Sequence, residues 1–246
     1  MGERMSDVSV HAFLALWNDI ESVDVQPEYE SWHSFEHVPE RVGLPDFVEA
    51  MRYRSVAQPL RYFTCYRLRS LQALHSPEYG DVFTHPTPWS VRMRLVLRNF
   101  YRMPCELGGL HGVSTAGQLA TLQWRSADLG QQDQLNDRLQ KLVLTGMLIR
   151  AEWGVEKTTE AYWLPNTANC LQGQGQNYVL LLQHMDRDTL HESSQALLTF
   201  LQSHASSVIA PEYFEQLTHV RQDGLTHSPR VRQEPLDTLF NQFTKR

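Results

Sequence analysis

Cysteine is sparse in this chain, long apolar runs are missing, and positive charge is never concentrated. Each shortage removes a class of protein. Cys65, Cys105 and Cys170 are the three cysteines of 246 residues, widely spaced and without a C-x-x-C pair. Neither a disulfide framework nor a cysteine metal knuckle is therefore expected, and the thiols are expected to be reduced. No stretch approaches the roughly 18 apolar residues of a membrane span. Residues 1–7 are polar and lack the apolar core of a signal peptide. The formal charge is −6 and the arginines are scattered, whereas phosphate backbones and anionic lipids demand a basic surface. No phosphate-cradling glycine loop or dinucleotide turn occurs. These shortages predict a cytoplasmic protein that meets a small molecule rather than nucleic acid or membrane.

The composition, 41% apolar and 20% charged, is that of a globular chain long enough to bury a large core. Alternating and aromatic-rich runs predict strands over 8–18, 47–56, 61–68 and 91–101. Helical spacing covers 27–41 and 71–83, with a break at His75-Ser76-Pro77 and a rigid turn over 84–89. The order is β-α-β-β-α-β, the ferredoxin-like unit. Gly108-Gly109 and the polar run to Gly117 mark a boundary, after which the order recurs. Strands are expected over 118–124, 146–155, 177–184 and 213–221, and helices over 133–144 and 189–204. Residues 166–176 read as a flexible loop. Beyond Gly224 an extended arm ends in Leu236, Leu239, Phe240 and Phe243, one stripe of a short helix that packs on the body or on a second copy. The units are thus 1–110, 111–224 and a C-terminal arm at 225–246.

One stretch concentrates groups able to move a proton or bind a metal: P-E-Y-E-S-W-H-S-F-E-H-V-P-E-R at 27–41. A helix places positions i, i+3 and i+4 on one face, so His33, Glu36 and His37 are expected to point the same way. Pro27 suits the first helical position, and Glu28 and Glu30 suit the positive end of the helix dipole. H-S-F-E-H also matches the H-x-x-E-H zinc pattern, with Asp19, Glu78 or His75 as a third ligand. Without metal, an imidazole takes and returns a proton near neutral pH. Asn18 is a candidate donor to a developing oxyanion, and Asp19 a candidate orienter of an imidazole, although an Asx turn explains both. Tyr62 and Tyr66 are candidate proton donors on one strand face. Trp17, Trp32 and Trp89 are candidate walls of a pocket for an aromatic ligand, with plain packing as the alternative. Arg92, Arg94 and Arg98 are expected on the solvated face of the 91–101 strand. Haem would find axial candidates in His184, His219, His191 and His204, but no C-x-x-C-H attachment occurs.

The W-H-S-F-E-H-V-P-E-R run at 32–41, the G-L-P-D-F at 43–47 and the element order resemble the EthD-like branch of the dimeric α+β barrel superfamily. Its members carry H-x-P at the end of the first helix, the place of His37-Val38-Pro39. The resemblance covers roughly 8–105. Over 118–221 it is topological only, and the helix there, Q-L-N-D-R-L-Q-K-L, lacks the histidine pair. It implies an α+β fold in which two tandem ferredoxin-like units form one pseudo-dimeric barrel, with one half keeping the site. It also implies His37 as proton shuttle. The superfamily holds cofactor-free cyclases, isomerases and oxygenases alongside haem enzymes, so fold does not name the reaction. The leading expectation is a cofactor-independent lyase, isomerase or cyclase acting on a small apolar or aromatic carbonyl compound. A non-catalytic ligand-binding or assembly protein, with homo-oligomers formed through the arm, is one alternative. A zinc or haem enzyme is the other.

Overall fold

The computed structural model describes residues 9–127, 132–157, 171–225 and 233–244. In chain order these form β1 (Ala12–Ile20), α1 (Gln26–Trp32), a π-helical turn (His33–His37), α2 (Val38–Val42), β2 (Phe47–Ser55), β3 (Arg61–Leu68), α3 (Pro77–Thr84), α4 (Pro88–Arg94) and β4 (Leu97–His111). There follow β5 (Gln118–Ser126), α5 (Gln132–Leu144), β6 (Arg150–Glu156), β7 (Gln176–His184), α6 (Arg187–Gln202), β8 (Ser207–Arg221) and α7 (Asp237–Thr244).

The eight strands close into one antiparallel barrel in the order β1-β3-β2-β8-β5-β7-β6-β4. Because strand side chains alternate in direction, each strand serves two cores. Along β1, Phe13, Ala15 and Trp17 enter the barrel, where Met51, Phe63, Leu119, Val179, Leu181 and Phe214 meet them. Ala12 and Leu14 face outward, under the helices, with Val38, Phe47, Tyr66 and Tyr79. The second half repeats this outside its own strands, with Trp124, Trp153 and Tyr178 under α5 and α6. No helix among the described residues is long and apolar enough to cross a membrane.

The expectations for 84–89 and 91–101 fail here. The 91–101 segment is not one strand: residues 88–94 are helical and the strand begins at Leu97. Thr87 caps α4 by accepting the Ser90 N–H at 3.0 Å, with Pro88 in the first turn, which is a helix start rather than a rigid turn. Arg92 and Arg94 therefore lie on a helix and share no strand face with Arg98. Gly108-Gly109 lies inside β4, which runs to His111, and residues 112–117 connect it to β5. A Cβ on Gly108 would stand 2.3 Å from the Trp153 ring, so glycine lets the indole lie against the strand. Residues 166–170 of the loop expected over 166–176, Cys170 among them, and residues 226–232 of the arm lie outside the described residues. The end of the arm turns inward: Phe240 and Phe243 stack on Trp89 at 5.7 and 5.9 Å, so the chain covers this stripe itself.

Candidate active site

Between the outer face of β1, β3 and β4 and the helical layer lies a cleft. Its apolar walls come from Leu14, Leu16, Phe47, Phe83, Leu97 and Phe100, and its polar groups from His33, His37, Tyr29, Thr64 and Tyr66, with Arg41, Arg94 and Arg102. On the matching face of the second half, Trp124, Trp153, Tyr178 and Phe200 occupy the corresponding space.

The histidines reach it from an unusual backbone. Over 33–37 the helix widens to a π turn, with the Val38 N–H bonding His33 O, five residues back. Pro39 contributes to this because it has no N–H to offer the carbonyl of Phe35. That carbonyl accepts from Gln233 Nε2 at 3.1 Å instead. The rings of His33 and His37 lie 4.9 Å apart, and Trp32 packs on His37 at 4.3 Å. Nδ1 of each imidazole is buried without a hydrogen-bond partner. Burial, then the Arg52 and Arg41 cations, hold the His33 pKa well below its ordinary value. For His37 the causes are burial, then Arg41, with His33, Arg94 and Arg52 adding to it. Both rings are neutral at neutral pH, the form that accepts a proton.

The other expected site residues divide. Trp32 and Asn18 line the cleft with the histidines, as does Tyr66, whose buried hydroxyl has no partner. Asn18 Oδ1 accepts from the Tyr29 hydroxyl at 3.1 Å, and its Nδ2 donates to Asp19 O at 3.2 Å. Trp17 is a correction: it points into the barrel and stacks on Tyr101. Adjacent strand residues face opposite ways, so Trp17 and Asn18 were never able to share a pocket. Trp89 is a second correction, donating to Glu28 Oε1 at 3.2 Å beneath α7. Tyr62 donates to Glu30 Oε1 at 2.9 Å beside the cleft rather than lining it. Asp19 turns to Arg61 and Asn99, at 3.1 and 2.6 Å, instead of an imidazole.

Glu36 is the third correction. One turn of π helix carries it away from the histidines, where its carboxylate accepts from Thr87 Oγ1 at 2.5 Å and from the Leu236 N–H at 3.0 Å. The zinc pattern therefore does not fit: its glutamate faces the wrong way, and His75 and Glu78 are exposed outside the cleft. Among the described residues no three His, Cys, Asp or Glu side chains gather to hold a metal ion. The four expected haem ligands also lie outside the cleft lining. His184 accepts the Asp186 N–H at 3.0 Å, His219 pairs with Glu49 at 2.8 Å, His204 bonds Phe200 O at 2.7 Å, and His191 packs on Tyr213.

The sequence reading missed Tyr29, Thr64, Arg41, Arg94 and Arg102. Strand register and helix packing bring Thr64, Arg94 and Arg102 to the histidines. Tyr29 and Arg41 carried a signal, each four residues from one of the histidines, as did Thr64, which shares a β3 face with Tyr62 and Tyr66.

No protein-family model and no curated protein matches the sequence. Solved structures match in fold. An anthrone oxidase-like protein superposes with a TM-score of 0.64 at 9% identity, over 91% of this chain and 98% of its own. A protein of Fusobacterium nucleatum subsp. nucleatum ATCC 25586, provisionally assigned as a monooxygenase, gives 0.56 at 8% identity over 89% and 98%. One of Lactobacillus acidophilus NCFM, likewise provisionally assigned, gives 0.54 at 7% identity over 86% and 97%. At such identities the likeness is one of fold alone, an α+β fold built on a closed antiparallel barrel of eight strands.

Proposed function

We propose that the cleft is the active site of a small-molecule enzyme that abstracts a proton from a largely apolar, carbonyl-bearing compound. His37 acts as the base, beside His33. The observation that carries this reading is the pair of neutral imidazoles with unpartnered nitrogens in an apolar cleft. A neutral imidazole removes a proton adjacent to a carbonyl, the enolate oxygen takes a hydrogen bond from the Tyr66 hydroxyl, and the nearby guanidinium groups favour the anion. Proton removal and return is the step shared by lyases, isomerases and cyclases, and no metal or haem is needed for it. Arg41 donates to His37 O at 3.2 Å and to Glu40 at 3.0 Å, which fixes the turn that carries the base.

The same reading takes the chain as two fused ferredoxin-like units, 1–110 with the site and 111–224 without it, followed by the arm. The strand order β4-β1-β3-β2 recurring as β8-β5-β7-β6 supports this. The EthD-like assignment rests on the motif at 32–41.

The test is a panel of enolisable aromatic ketones, anthrones among them because of the neighbour named for that oxidation, followed for product and for oxygen uptake. His37→Ala is expected to lower kcat/KM by about 10²–10⁴, the usual range for a lost general base, with Tm within a few degrees of wild type. Undiminished turnover in that variant would remove His37 from the chemistry.

A further inference from the structure

The chain gives its buried arginines carboxylate partners, with one exception. Arg41, Arg52, Arg67 and Arg150 are the buried arginines among the described residues. Arg41 has Glu40 at 3.0 Å, Arg67 has Glu152 and, at 3.2 Å, Glu49, and Arg150 has Glu152 at 3.9 Å. Arg52 has no carboxylate within ion-pair distance among the described residues. It is 1% exposed. Its guanidinium lies over the rings of Tyr29 and Tyr62 at 5.0 and 4.9 Å, donates to Ser34 Oγ at 3.1 Å, and acts on the Tyr29 hydroxyl strongly enough to oppose the rise that burial gives its pKa. Nε and Nη2 meet no acceptor. Glu30, which accepts from the Tyr62 hydroxyl, is itself engaged by Arg54 at 3.5 Å. A buried cation without counter-charge is among the most costly features a fold can carry, and so calls for an explanation.

Strand register supplies one. Arg52 of β2 stands opposite Thr64 of β3, Thr64 opposite Leu16 of β1, and Leu16 opposite Arg102 of β4. Side chains directly opposite share a face, so these four form one row, three of whose members reach the cleft. Thr64, Leu16 and Arg102 line the cleft, and Arg52 is the next position beyond Thr64. The Thr64 hydroxyl, like the Arg52 nitrogens, is buried and unpartnered. Tyr29, whose ring carries the guanidinium, is also in the cleft wall.

We propose that the natural ligand arrives as an anion, an aromatic or otherwise flat apolar acid, and that its carboxylate or phenolate oxygen seats between the Thr64 hydroxyl and the Arg52 guanidinium. This rests on the cleft being the substrate site and narrows its substrate class. The ligand completes the charge that the fold leaves open, and its apolar body lies along Leu14, Leu16 and Phe100. Guanidinium to carboxylate is the strong, charge-assisted kind of hydrogen bond, so selection for an acid over its neutral analogue follows.

The experiment is a binding measurement that needs no turnover. 2-Naphthoate and its neutral isostere 2-naphthamide are titrated by calorimetry into wild type, Arg52→Gln, Arg52→Lys and Thr64→Val. Wild type is expected to prefer the acid by at least about tenfold, a step of about 1.4 kcal/mol. Arg52→Gln is expected to abolish the preference by weakening 2-naphthoate far more than naphthamide, Arg52→Lys to keep part of it, and Thr64→Val to reduce it. Melting temperatures supply a readout that a structural arginine would move the other way. Unliganded Arg52→Met is expected to be at least as stable as wild type, and 2-naphthoate to raise the Tm of wild type more than that of any Arg52 variant. Equal binding of the two probes by wild type, no binding of either at millimolar concentration, or a preference that survives Arg52→Gln would each overturn the proposal. An acid preference that disappears with Arg52 while no ketone is turned over would sink the proton-abstraction reading and leave this one standing.

Discussion

His33 and His37 carry a stability signature as well as a chemical one. Their pKa values in the folded chain are depressed, by burial first and by arginine charge second. In the unfolded chain each titrates near its ordinary value of about 6.5. Below that pH the unfolded state binds protons that the folded state refuses, so stability falls as pH falls and is unaffected by these groups above it. Each histidine contributes a slope of at most about 1.4 kcal/mol per pH unit. Melting temperatures measured from pH 7.5 to 5.0 are expected to drop steeply for wild type. In the double variant His33→Gln, His37→Gln the drop should be much shallower. Parallel curves for the two proteins would place the acid lability in other groups.

At the scale of the element, the π turn has two faces with different tasks. One presents the histidines, and the other is tied down by Glu36, which joins the cap of α4 to the arm at Leu236. Glu36→Ala leaves two donors without acceptors, at about 1–3 kcal/mol for each that stays buried, and is expected to lower Tm clearly. Glu36→Gln keeps an amide oxygen and should recover part of the loss. If both variants melted like wild type but lost all activity, Glu36 would be chemical rather than structural. Pro39→Ala tests the turn itself. Restoring an N–H at 39 removes a helix-breaking residue, so Tm is expected to hold or rise. The wide turn is expected to relax toward an α-helix, and kcat/KM to fall as the histidines move.

The same turn shows how far the sequence was legible. Every strand and helix of the second half was visible in its periodicity, and the histidine pair stood out because residues four apart share a face. Glu36 misled because three-residue spacing implies a shared face only on an α-helix, and the wide turn is fixed by Pro39 together with the distant Gln233. The V-R-M-R-L-V-L run misled because its alternation mimics a strand. Its Thr-Pro start and the buried pair Trp89 and Met93, four apart, were the helix signal. Arg52 was beyond reach, since only cross-strand register places it in a row with Thr64.

For the whole molecule, barrel closure decides what can fold alone. β4 and β8 are fifteen residues each, long enough for β4 to pair with β6 and for β8 to pair with β2 across the two halves. The interior they enclose is shared: Phe13, Trp17, Met51, Phe63 and Met103 from one half meet Leu119, Val179, Leu181 and Phe214 from the other. Burying one such side chain is worth about 1.5–3 kcal/mol. The five from the first half together approach the 5–15 kcal/mol by which an ordinary domain is stable. A fragment of residues 1–112 would expose them all, and is expected not to fold cooperatively although it contains every residue of the cleft. The full chain is expected to unfold in one transition, with tryptophan fluorescence and far-ultraviolet circular dichroism coinciding. Phe214→Ala tests the coupling from the far half. Phe214 is fully buried against Phe63, with ring centroids 5.7 Å apart, and its truncation should remove about 3–5 kcal/mol. Because the transition is shared, that loss should lower the midpoint reported by Trp32 beside the cleft as much as the midpoint reported by Trp124. Two separate midpoints, or a cooperative melt of the 1–112 fragment, would show instead that the site-bearing half is a domain of its own.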